Sequence, residues 1–341
     1  MSAPRMKDVA AYAQVSKATV SRVLNRDPRV AEDLRQRVEE AIRVLGYAPN
    51  RAARRLRGTS NDVIGLIISD IENPYFTSMV RGVEDAAYAN NMHIVLCNSD
   101  EDPVRLQRYL RVMEEEQVAG LLIVPIGTAM RHELIRLRQS EVPVILIDRL
   151  LDQVEVDAVI VDNVRGAFNA VDHLIRLGRT RIALIGGLPN SSTGRERAQG
   201  YRDALAYAGL NVDDAWVKIG DFKLESGYRL AYELLTSPVK PDAIFAANNL
   251  MTLGALRAFS ELGVRIPEDV ALVGFDDTPW SGQLCPPLTT VAQPTYDLGQ
   301  EAVQLLLRRL SNPHAPYRTI SLQTRLMVRE SCGAKLRRNH E

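Results

Sequence analysis

The sequence predicts an α/β protein in which an all-α N-terminal region precedes two units, each built on a doubly wound parallel sheet. In residues 1–60, apolar side chains recur at helical spacing. From Asp62 onward, short apolar runs alternate with segments of helical periodicity, which is typical of parallel strands connected by helices. The alternation continues through a second stretch of similar length that starts near residue 167, and this indicates two sheets.

The charge of the chain divides it in the same place. The 341 residues carry 42 basic and 42 acidic side chains, so the formal net charge is zero. Residues 1–60 nevertheless hold 13 Lys and Arg against 6 Asp and Glu, whereas the remainder holds 29 against 36. A basic segment attached to an acidic body predicts a polyanionic partner for that segment alone.

Two short helices are predicted at the N-terminus. Apolar residues at helical spacing indicate a first helix near 9–13, and the Ser16 hydroxyl can cap a second helix by accepting from a free backbone N–H. Val20, Val23 and Leu24 would form the buried face of this second helix. Its outer face then carries Lys17, Ala18, Thr19, Ser21, Arg22 and Asn25. Two such helices with a polar, partly basic outer face are typical of a helix-turn-helix.

A third helix is predicted over about 31–45, and Gly46 would end it. The segment 49–58 follows, with four arginines arranged around Ala52, Ala53 and Leu56. This segment is too short and too highly charged to hold a helix alone in water. On DNA, the phosphates would neutralise the repulsion between its arginines.

Three segments resemble the start of the LacI/GalR family of bacterial transcriptional regulators. They are Lys-Asp-Val-Ala at 7–10, Val-Ser-Lys-Ala-Thr-Val-Ser-Arg-Val-Leu-Asn at 15–25 and Gly-Tyr-Ala-Pro-Asn-Arg-Ala-Ala-Arg-Arg-Leu at 46–56. The resemblance continues to about Arg329. It implies a helix-turn-helix domain at 1–48, and a hinge at 49–60 that folds in the minor groove of the operator, with Leu56 wedged between base pairs.

The resemblance also implies a sequence-specific repressor of a sugar utilisation operon that binds palindromic operator DNA as a homodimer. The tail at 331–341 has no heptad repeat, so we expect dimers and not tetramers. The implied DNA contacts are Ser16, Lys17, Ala18, Thr19, Ser21, Arg22, Asn25, Asn50, Ala53, Arg54, Leu56 and Arg57.

The core at 61–330 carries the alternation of strands and helices. Strands are predicted at 63–68, 93–97, 120–124, 142–147, 159–161, 182–185, 217–219, 243–246, 270–273 and 319–322. Helices are predicted at about 76–91, 103–116, 131–139, 167–177, 196–208, 226–235, 252–262 and 298–310. The family resemblance implies two lobes similar to those of periplasmic sugar-binding proteins, lobe 1 at about 61–162 and 293–322 and lobe 2 at about 163–292 and 323–330.

Polar and aromatic residues follow the strands of both lobes, and ligands of such folds lie in the crevice at the carboxyl ends of the strands. A sugar needs aromatic surfaces for its C–H faces and fixed hydrogen-bonding groups for its hydroxyls. The order of these residues also resembles ribose-binding proteins. The implied ligand contacts are Asn73, Tyr75, Phe76, Asp148, Arg149, Arg197, Phe222, Asn248, Asp276 and Gln293. Val124 stands where those proteins often have a polar residue, which weakens the case for ribose relative to other small sugars.

Other classes of protein are less compatible with the sequence. We find no Gly-x-Gly-x-x-Gly after the first strand, no phosphate-binding Gly-x-x-x-x-Gly-Lys-Ser/Thr and no Gly-x-Ser-x-Gly, so a dehydrogenase or other enzyme is disfavoured and no cofactor is expected. Cys97, Cys285 and Cys332 lack metal-ligand spacing, and the five histidines do too. No export signal or membrane span is evident, which predicts a cytoplasmic protein, nucleoid-associated when bound to DNA. A purine-responsive repressor and a sugar-binding protein of another kind remain the alternatives.

Overall fold

A computed structural model describes residues 4–24, 27–47, 62–127 and 130–334. The chain divides into two compact units, residues 1–61 and residues 62–341. The first unit contains the three predicted helices, α1 (Met6–Tyr12), α2 (Lys17–Leu24) and α3 (Glu32–Leu45). Their shared core is formed by Val9, Ala10, Ala13, Val20, Val23, Val38, Ala41 and Tyr47.

Local contacts fix the helix ends of this small unit. The Thr19 backbone N–H donates to Ser16 Oγ at 3.0 Å, so Ser16 caps α2 as predicted. Gly46 ends α3 in the left-handed conformation, with φ of 61°. The Arg37 side chain on α3 donates to the carbonyl oxygens of Ala13 (2.6 Å) and Gln14 (3.2 Å), and it thereby holds the turn between α1 and α2 against α3.

The second unit contains two six-stranded sheets. The strands of the first sheet are β1 (Val63–Ile68), β2 (His93–Asn98), β3 (Gly120–Ile123), β4 (Val144–Ile147), β5 (Asp157–Val161) and β11 (Thr319–Leu322). They lie in the order β11-β5-β4-β3-β1-β2, and all are parallel. The connecting helices are α4 (Pro74–Ala89), α5 (Pro103–Glu115) and α6 (Met130–Gln139). We call the part of the chain that carries this sheet lobe 1.

Lobe 2 carries the second sheet. Its strands are β6 (Ile182–Gly186), β7 (Val217–Ile219), β8 (Ala243–Ala246), β9 (Ala271–Phe275), β10 (Thr289–Ala292) and β12 (Arg325–Met327). Its helices are α7 (Asn163–Arg176), α8 (Ser192–Tyr207), α9 (Leu224–Thr236) and α10 (Asn249–Leu262). The order is β12-β10-β9-β8-β6-β7, and β12 runs antiparallel to β10. The second sheet is therefore parallel, as predicted, except at this edge, and neither β10 nor β12 was predicted.

Helix α11 (Thr295–Ser311) brings the chain back from lobe 2 to lobe 1. Its backbone meets that of α4 directly. A Cβ on Gly82 would lie 2.0 Å from the Tyr296 carbonyl oxygen, and one on Gly299 would lie 2.3 Å from that of Met79. Glycine is therefore needed on both helices for this close approach. No helix in the described part of the chain is both long and apolar enough to span a bilayer.

Several helices begin earlier than the apolar periodicity predicted. Helix α8 starts at Ser192 instead of near 196, α10 at Asn249 instead of 252, and α11 at Thr295 instead of 298. Each of these helices begins with a polar side chain, which lies outside the apolar pattern from which the starts were predicted. In α8 and α10 these polar residues lie at the carboxyl edge of the lobe 2 sheet, where the candidate site is found.

Candidate functional site

A single cleft brings the predicted ligand contacts together. It lies between the lobes at the carboxyl ends of their strands and encloses about 440 Å³ of non-atom space, part of it open to solvent. All ten predicted contacts line it: Asn73, Tyr75, Phe76, Asp148, Arg149, Arg197, Phe222, Asn248, Asp276 and Gln293. Its other lining residues are Asp70, Glu101, Thr193, Asp221 and Lys223.

The lobe 1 wall is organised around Asp148, the first residue after β4. Its backbone has a positive φ of 70°, which is uncommon for a residue other than glycine. The Tyr75 hydroxyl donates to Asp148 Oδ1 at 2.6 Å. Burial and the adjacent negative charge of Asp148 raise the pKa of Tyr75 well above its ordinary value. Tyr75 therefore remains a protonated donor at neutral pH, and its ring packs edge-on against Phe76 at 5.0 Å between centroids.

Arg149 is buried beside this pair, with 7% of its surface exposed. Its two terminal nitrogens donate to the Glu101 carboxylate at 2.9 and 2.6 Å, and its Nε lies 3.4 Å from Asp148 Oδ2. Burial alone would lower the pKa of Arg149, but Glu101 and Asp148 outweigh it and raise the pKa. The guanidinium also lies 5.7 Å from the centre of the Phe222 ring, which belongs to lobe 2.

Arg197 is the corresponding cation of the lobe 2 wall. It lies near the start of α8, where a side chain could point to the surface, but Arg197 is buried. Its Nε donates to Asn163 Oδ1 at 2.8 Å and its Nη1 to the Ala247 carbonyl oxygen at 2.7 Å. The guanidinium carbon lies 3.8 Å from the centre of the Phe275 ring, which is a cation–π contact.

Asp276 supplies the carboxylate of lobe 2. Like Asp148 it has a positive φ, here 72°. It accepts hydrogen bonds from the Asn249 backbone N–H at 3.2 Å and from the Gln293 side-chain amide. Burial raises the pKa of Asp276, against the opposing influence of Arg197 and Gln293. Among the described residues, Gln293 Oε1 is a buried atom without a hydrogen-bond partner, so a donor on a bound ligand could satisfy it.

Phe222 reaches the cleft from the loop after β7. It too has a positive φ, of 65°. A Cβ on Gly187 would lie 2.0 Å from the Phe222 ring, so the ring position requires glycine there. Asn248 holds the loop in place, because its Nδ2 donates to the Phe222 carbonyl oxygen at 2.9 Å while its Oδ1 caps α10 at the Met251 N–H.

Direct contacts join the two lobes around the cleft. Lys223 Nζ of lobe 2 lies 2.6 Å from Asp70 Oδ2 of lobe 1. The Asn249 amide donates to Asn73 Oδ1 at 2.8 Å, across the same gap. The polar groups of the cleft are therefore largely paired with each other before any ligand is considered.

Three lining residues were not singled out from the sequence. Glu101 follows β2, and the strand-end rule that identified the other contacts could have found it. Lys223 adjoins the predicted Phe222, and Thr193 lies in the first turn of α8, which was predicted to begin later. Asp70 and Asp221 stand in strand-end loops as well but were not among the ten chosen contacts.

The predicted DNA contacts of the first unit lie on α2 and at its cap. Lys17, Ala18 and Arg22 are exposed, Thr19 and Ser21 are half-buried, and the exposed Ser16 caps the helix. The other predicted DNA contacts lie outside the described residues: Asn25, Asn50, Ala53, Arg54, Leu56 and Arg57. The predicted hinge at 49–60 also falls there.

Comparison with known proteins identifies families and relatives that match this chain. Residues 5–50 match the bacterial regulatory proteins of the lacI family, and residues 171–332 match a periplasmic binding protein-like domain. The ribose operon repressor of Escherichia coli (strain K12) is 36% identical over 326 residues, covering 96% of this chain and 99% of the relative. The repressor PurR of Aliivibrio salmonicida is 34% identical over 328 residues, covering 96% and 98%.

A solved structure of the same kind superimposes over nearly the whole chain. The crystal structure of the Lac repressor dimer bound to operator and the anti-inducer ONPF matches with a TM-score of 0.86 and 29% identity, covering 97% of this chain and 99% of that one. Together with the helix-turn-helix geometry of α1 and α2, these matches show that the chain belongs to the lacI family of bacterial regulatory proteins and is a DNA-binding transcriptional regulator.

Proposed function

We propose that this regulator is a dimeric, cytoplasmic repressor of a sugar utilisation operon, controlled by a small sugar that binds between the lobes. Ribose or another pentose is favoured over hexoses, and hexoses over purines. The observation that carries the proposal is the lining of the cleft, in which carboxylates, guanidinium groups and aromatic rings come from both lobes.

The chemistry of this lining suits hydroxyl groups. Each hydroxyl can donate one hydrogen bond and accept others, so it needs fixed acceptors and donors close together. Asp148 and Asp276 are buried acceptors, and Arg149 and Arg197 are buried donors. The rings of Phe76 and Phe222 offer flat apolar surfaces for the C–H faces of a sugar ring. We infer a binding site and no catalysis, because these groups are held by mutual contacts.

A purine effector is the second candidate. The ribose operon repressor and PurR relatives differ by only two percentage points in identity to this chain, so identity does not choose between them. The two buried carboxylates, Asp148 and Asp276, favour the sugar, because each can accept hydrogen bonds from two or more hydroxyl groups. Val124, an apolar residue after β3, removes one possible hydroxyl contact and keeps the choice among small sugars open.

The proposed switch is a shift in the arrangement of the lobes. A ligand that contacts both walls stabilises the closed arrangement by the difference between its affinities for the two states, and by no more than that. We propose that this change is transmitted to a hinge at 49–60, which folds on operator DNA with Leu56 wedged in the minor groove. One helix-turn-helix reads a half-site, so a two-fold dimer fits a palindromic operator.

Calorimetry with the full-length protein tests the effector. D-ribose, other aldopentoses, aldohexoses and the purines hypoxanthine and guanine are titrated in parallel. We expect heat with at least one pentose and a change in operator affinity at saturating pentose. Binding of a purine without heat from any sugar would overturn the sugar assignment. Light scattering tests assembly, and a DNA-independent tetramer would contradict the proposed dimer.

A further inference from the structure

The turn that follows β2 carries two carboxylates that pair with cations of the cleft. Asp100 and Glu101 have positive φ values of 54° and 57°, a region that residues other than glycine rarely occupy. Glu101 contacts Arg149, and Asp100 Oδ1 lies 3.2 Å from Lys223 Nζ. This unusual backbone therefore brings one carboxylate to each of two cations that line the cleft.

The pairing with Arg149 is the closer of the two. Both terminal nitrogens of the guanidinium donate to Glu101, at 2.9 and 2.6 Å, which is the two-point geometry in which arginine also binds phosphate. Arg149 is almost wholly buried, so its charge is weakly screened by solvent and its interaction with a neighbouring carboxylate is strong. Glu101 thus occupies the face of Arg149 that a ligand anion would use.

The other cations of the cleft are committed as well. Lys223 contacts Asp70 at 2.6 Å in addition to Asp100. Arg197 uses two of its nitrogens on Asn163 and a carbonyl oxygen and lies against an aromatic ring. The three lining cations face five lining carboxylates: Asp70, Glu101, Asp148, Asp221 and Asp276.

Helix N-termini commonly bind anions, and two of those at the cleft are capped by side chains that line it. Asn73 accepts from the first turn of α4 at 3.0 Å, and Asn248 from that of α10 at 2.9 Å. Asp276 accepts from the first N–H of α10. Helix α8 has no side-chain cap, but Glu196 brings a carboxylate close to its start, and that carboxylate accepts from the Asn163 amide.

We propose that Glu101 is a specificity-determining residue that restricts the effector to an uncharged sugar. By pairing with both terminal nitrogens of Arg149, it removes the two-point site at which this cation could bind a phosphate, and the excess of lining carboxylates repels a phosphorylated sugar. A neutral sugar carries no charge, so the lining carboxylates do not repel it and can accept hydrogen bonds from its hydroxyls. The inference rests on the proposed function, since it names the class of sugar that the same cleft accepts.

The test compares neutral sugars with their phosphate esters by calorimetry on the full-length protein. The pairs are D-ribose with D-ribose 5-phosphate and D-glucose with D-glucose 6-phosphate. Glu101→Gln removes the charge but keeps the shape and an acceptor for Arg149. Asp100→Asn does the same at Lys223, which retains Asp70. Glu72→Gln is the matched control, because it removes a carboxylate from an exposed position outside the lining of the cleft.

We expect the unmodified protein to bind the neutral sugar about 100-fold or more tightly than its phosphate ester. Glu101→Gln should reduce this ratio of affinities by roughly tenfold or more. Asp100→Asn should narrow it less, and Glu72→Gln should leave it within about twofold. Retained operator binding and thermal unfolding would establish that Glu101→Gln is folded. If it is not, Asp100→Asn must still narrow the preference.

Two results would overturn the inference while leaving the proposed function intact. One is phosphate-ester binding by the unmodified protein that equals or exceeds binding of the neutral sugar. The other is a preference that folded Glu101→Gln leaves unchanged. A lack of heat with every neutral sugar and every ester, in all proteins, would instead refute the proposed sugar effector and the inference with it.

Discussion

The surface of α2 and the cleft between the lobes differ in how their polar groups are held. On α2, Lys17 and Arg22 extend into solvent from a helix whose opposite face is buried. In the cleft, Arg149 and Arg197 are buried and bound to neighbouring side chains or carbonyl oxygens. The first surface keeps its charge accessible, whereas the cations of the second are buried and mostly bound to groups of the protein itself.

This difference indicates two kinds of recognition. An exposed basic helix gains affinity by releasing counterions from DNA, so its binding depends on salt. In a buried site, the side chains of each wall are positioned by their neighbours, so its specificity depends on the matching of donors and acceptors between wall and ligand. Changes in the solution should therefore act mainly on the first surface, and single side-chain deletions mainly on the second.

Salt should separate the two surfaces most strongly. If each dimer neutralises about 6–10 phosphates, operator affinity should fall by roughly 10³-fold or more between about 50 and 200 mM salt. Affinity for a neutral sugar should change by less than about twofold over the same range, because no counterions are released. Fluorescence anisotropy on operator DNA and calorimetry with the sugar measure the two slopes. A steep salt dependence of the sugar affinity would contradict an uncharged effector.

Arg197→Ala should abolish the response to the effector. The substitution removes the donor to Asn163 and the positive charge that offsets Asp276. We expect this to weaken sugar binding by roughly 3 kcal/mol, or about 100-fold in affinity. Arg195→Ala is the matched control, because Arg195 lies on the same helix but is 42% exposed and pairs with Asp152 at the surface. We expect basal operator binding to survive in both variants. Unchanged sugar binding by Arg197→Ala would remove this residue from the site.

Substituting Lys17 and Ala18 together should change which operator sequence the protein prefers. Base contacts of this kind discriminate by about 1–3 kcal/mol, so the preference between two operators should shift by roughly tenfold or more. Arg43→Ala is a control on α3 that removes an exposed charge paired with Glu40. Binding selections on randomised operators measure the outcome. The same preferred sequence before and after the exchange would show that these two positions do not face base edges.

Tyr75→Phe should give a smaller loss confined to the cleft. It removes the hydroxyl that donates to Asp148 at 2.6 Å while keeping the ring against Phe76. The stranded carboxylate oxygen should cost about 1 kcal/mol, or roughly fivefold in sugar affinity. Tyr88→Phe, at an exposed position of α4, should have no effect. Calorimetry at pH 7 resolves this difference, and equal affinities for the two variants would mean that Asp148 does not need this donor.

The sequence predicted the fold well wherever an element is apolar or periodic. Strands such as β1 and β8 are continuously buried, so their bounds followed from composition alone. Strand β12 has three residues at a partly exposed edge and carries no such signal. Its pairing with β10 depends on where the chain returns in space, which local pattern does not contain.

The site was predicted where a side chain directly follows a strand. Asp148 and Asp276 stand one residue beyond β4 and β9, so the strand-end rule located both. Glu101 stands three residues beyond β2 and reaches the cleft through two consecutive positive φ values. No local pattern indicates these φ values, so Glu101 was missed although it lies in a strand-end loop.

The return of α11 to lobe 1 has a consequence for synthesis on the ribosome. Leu298, Ala302 and Leu305 of this helix are buried in the lobe 1 core, and β11 forms an edge of its sheet. Lobe 1 therefore cannot close its core until residue 322 has emerged, although its first strand is made some 250 residues earlier. Lobe 2 waits for β12, only a few residues later. During most of elongation, the apolar surfaces that these last elements cover in the folded protein lack that cover. The two cores become complete almost together, at the end of synthesis.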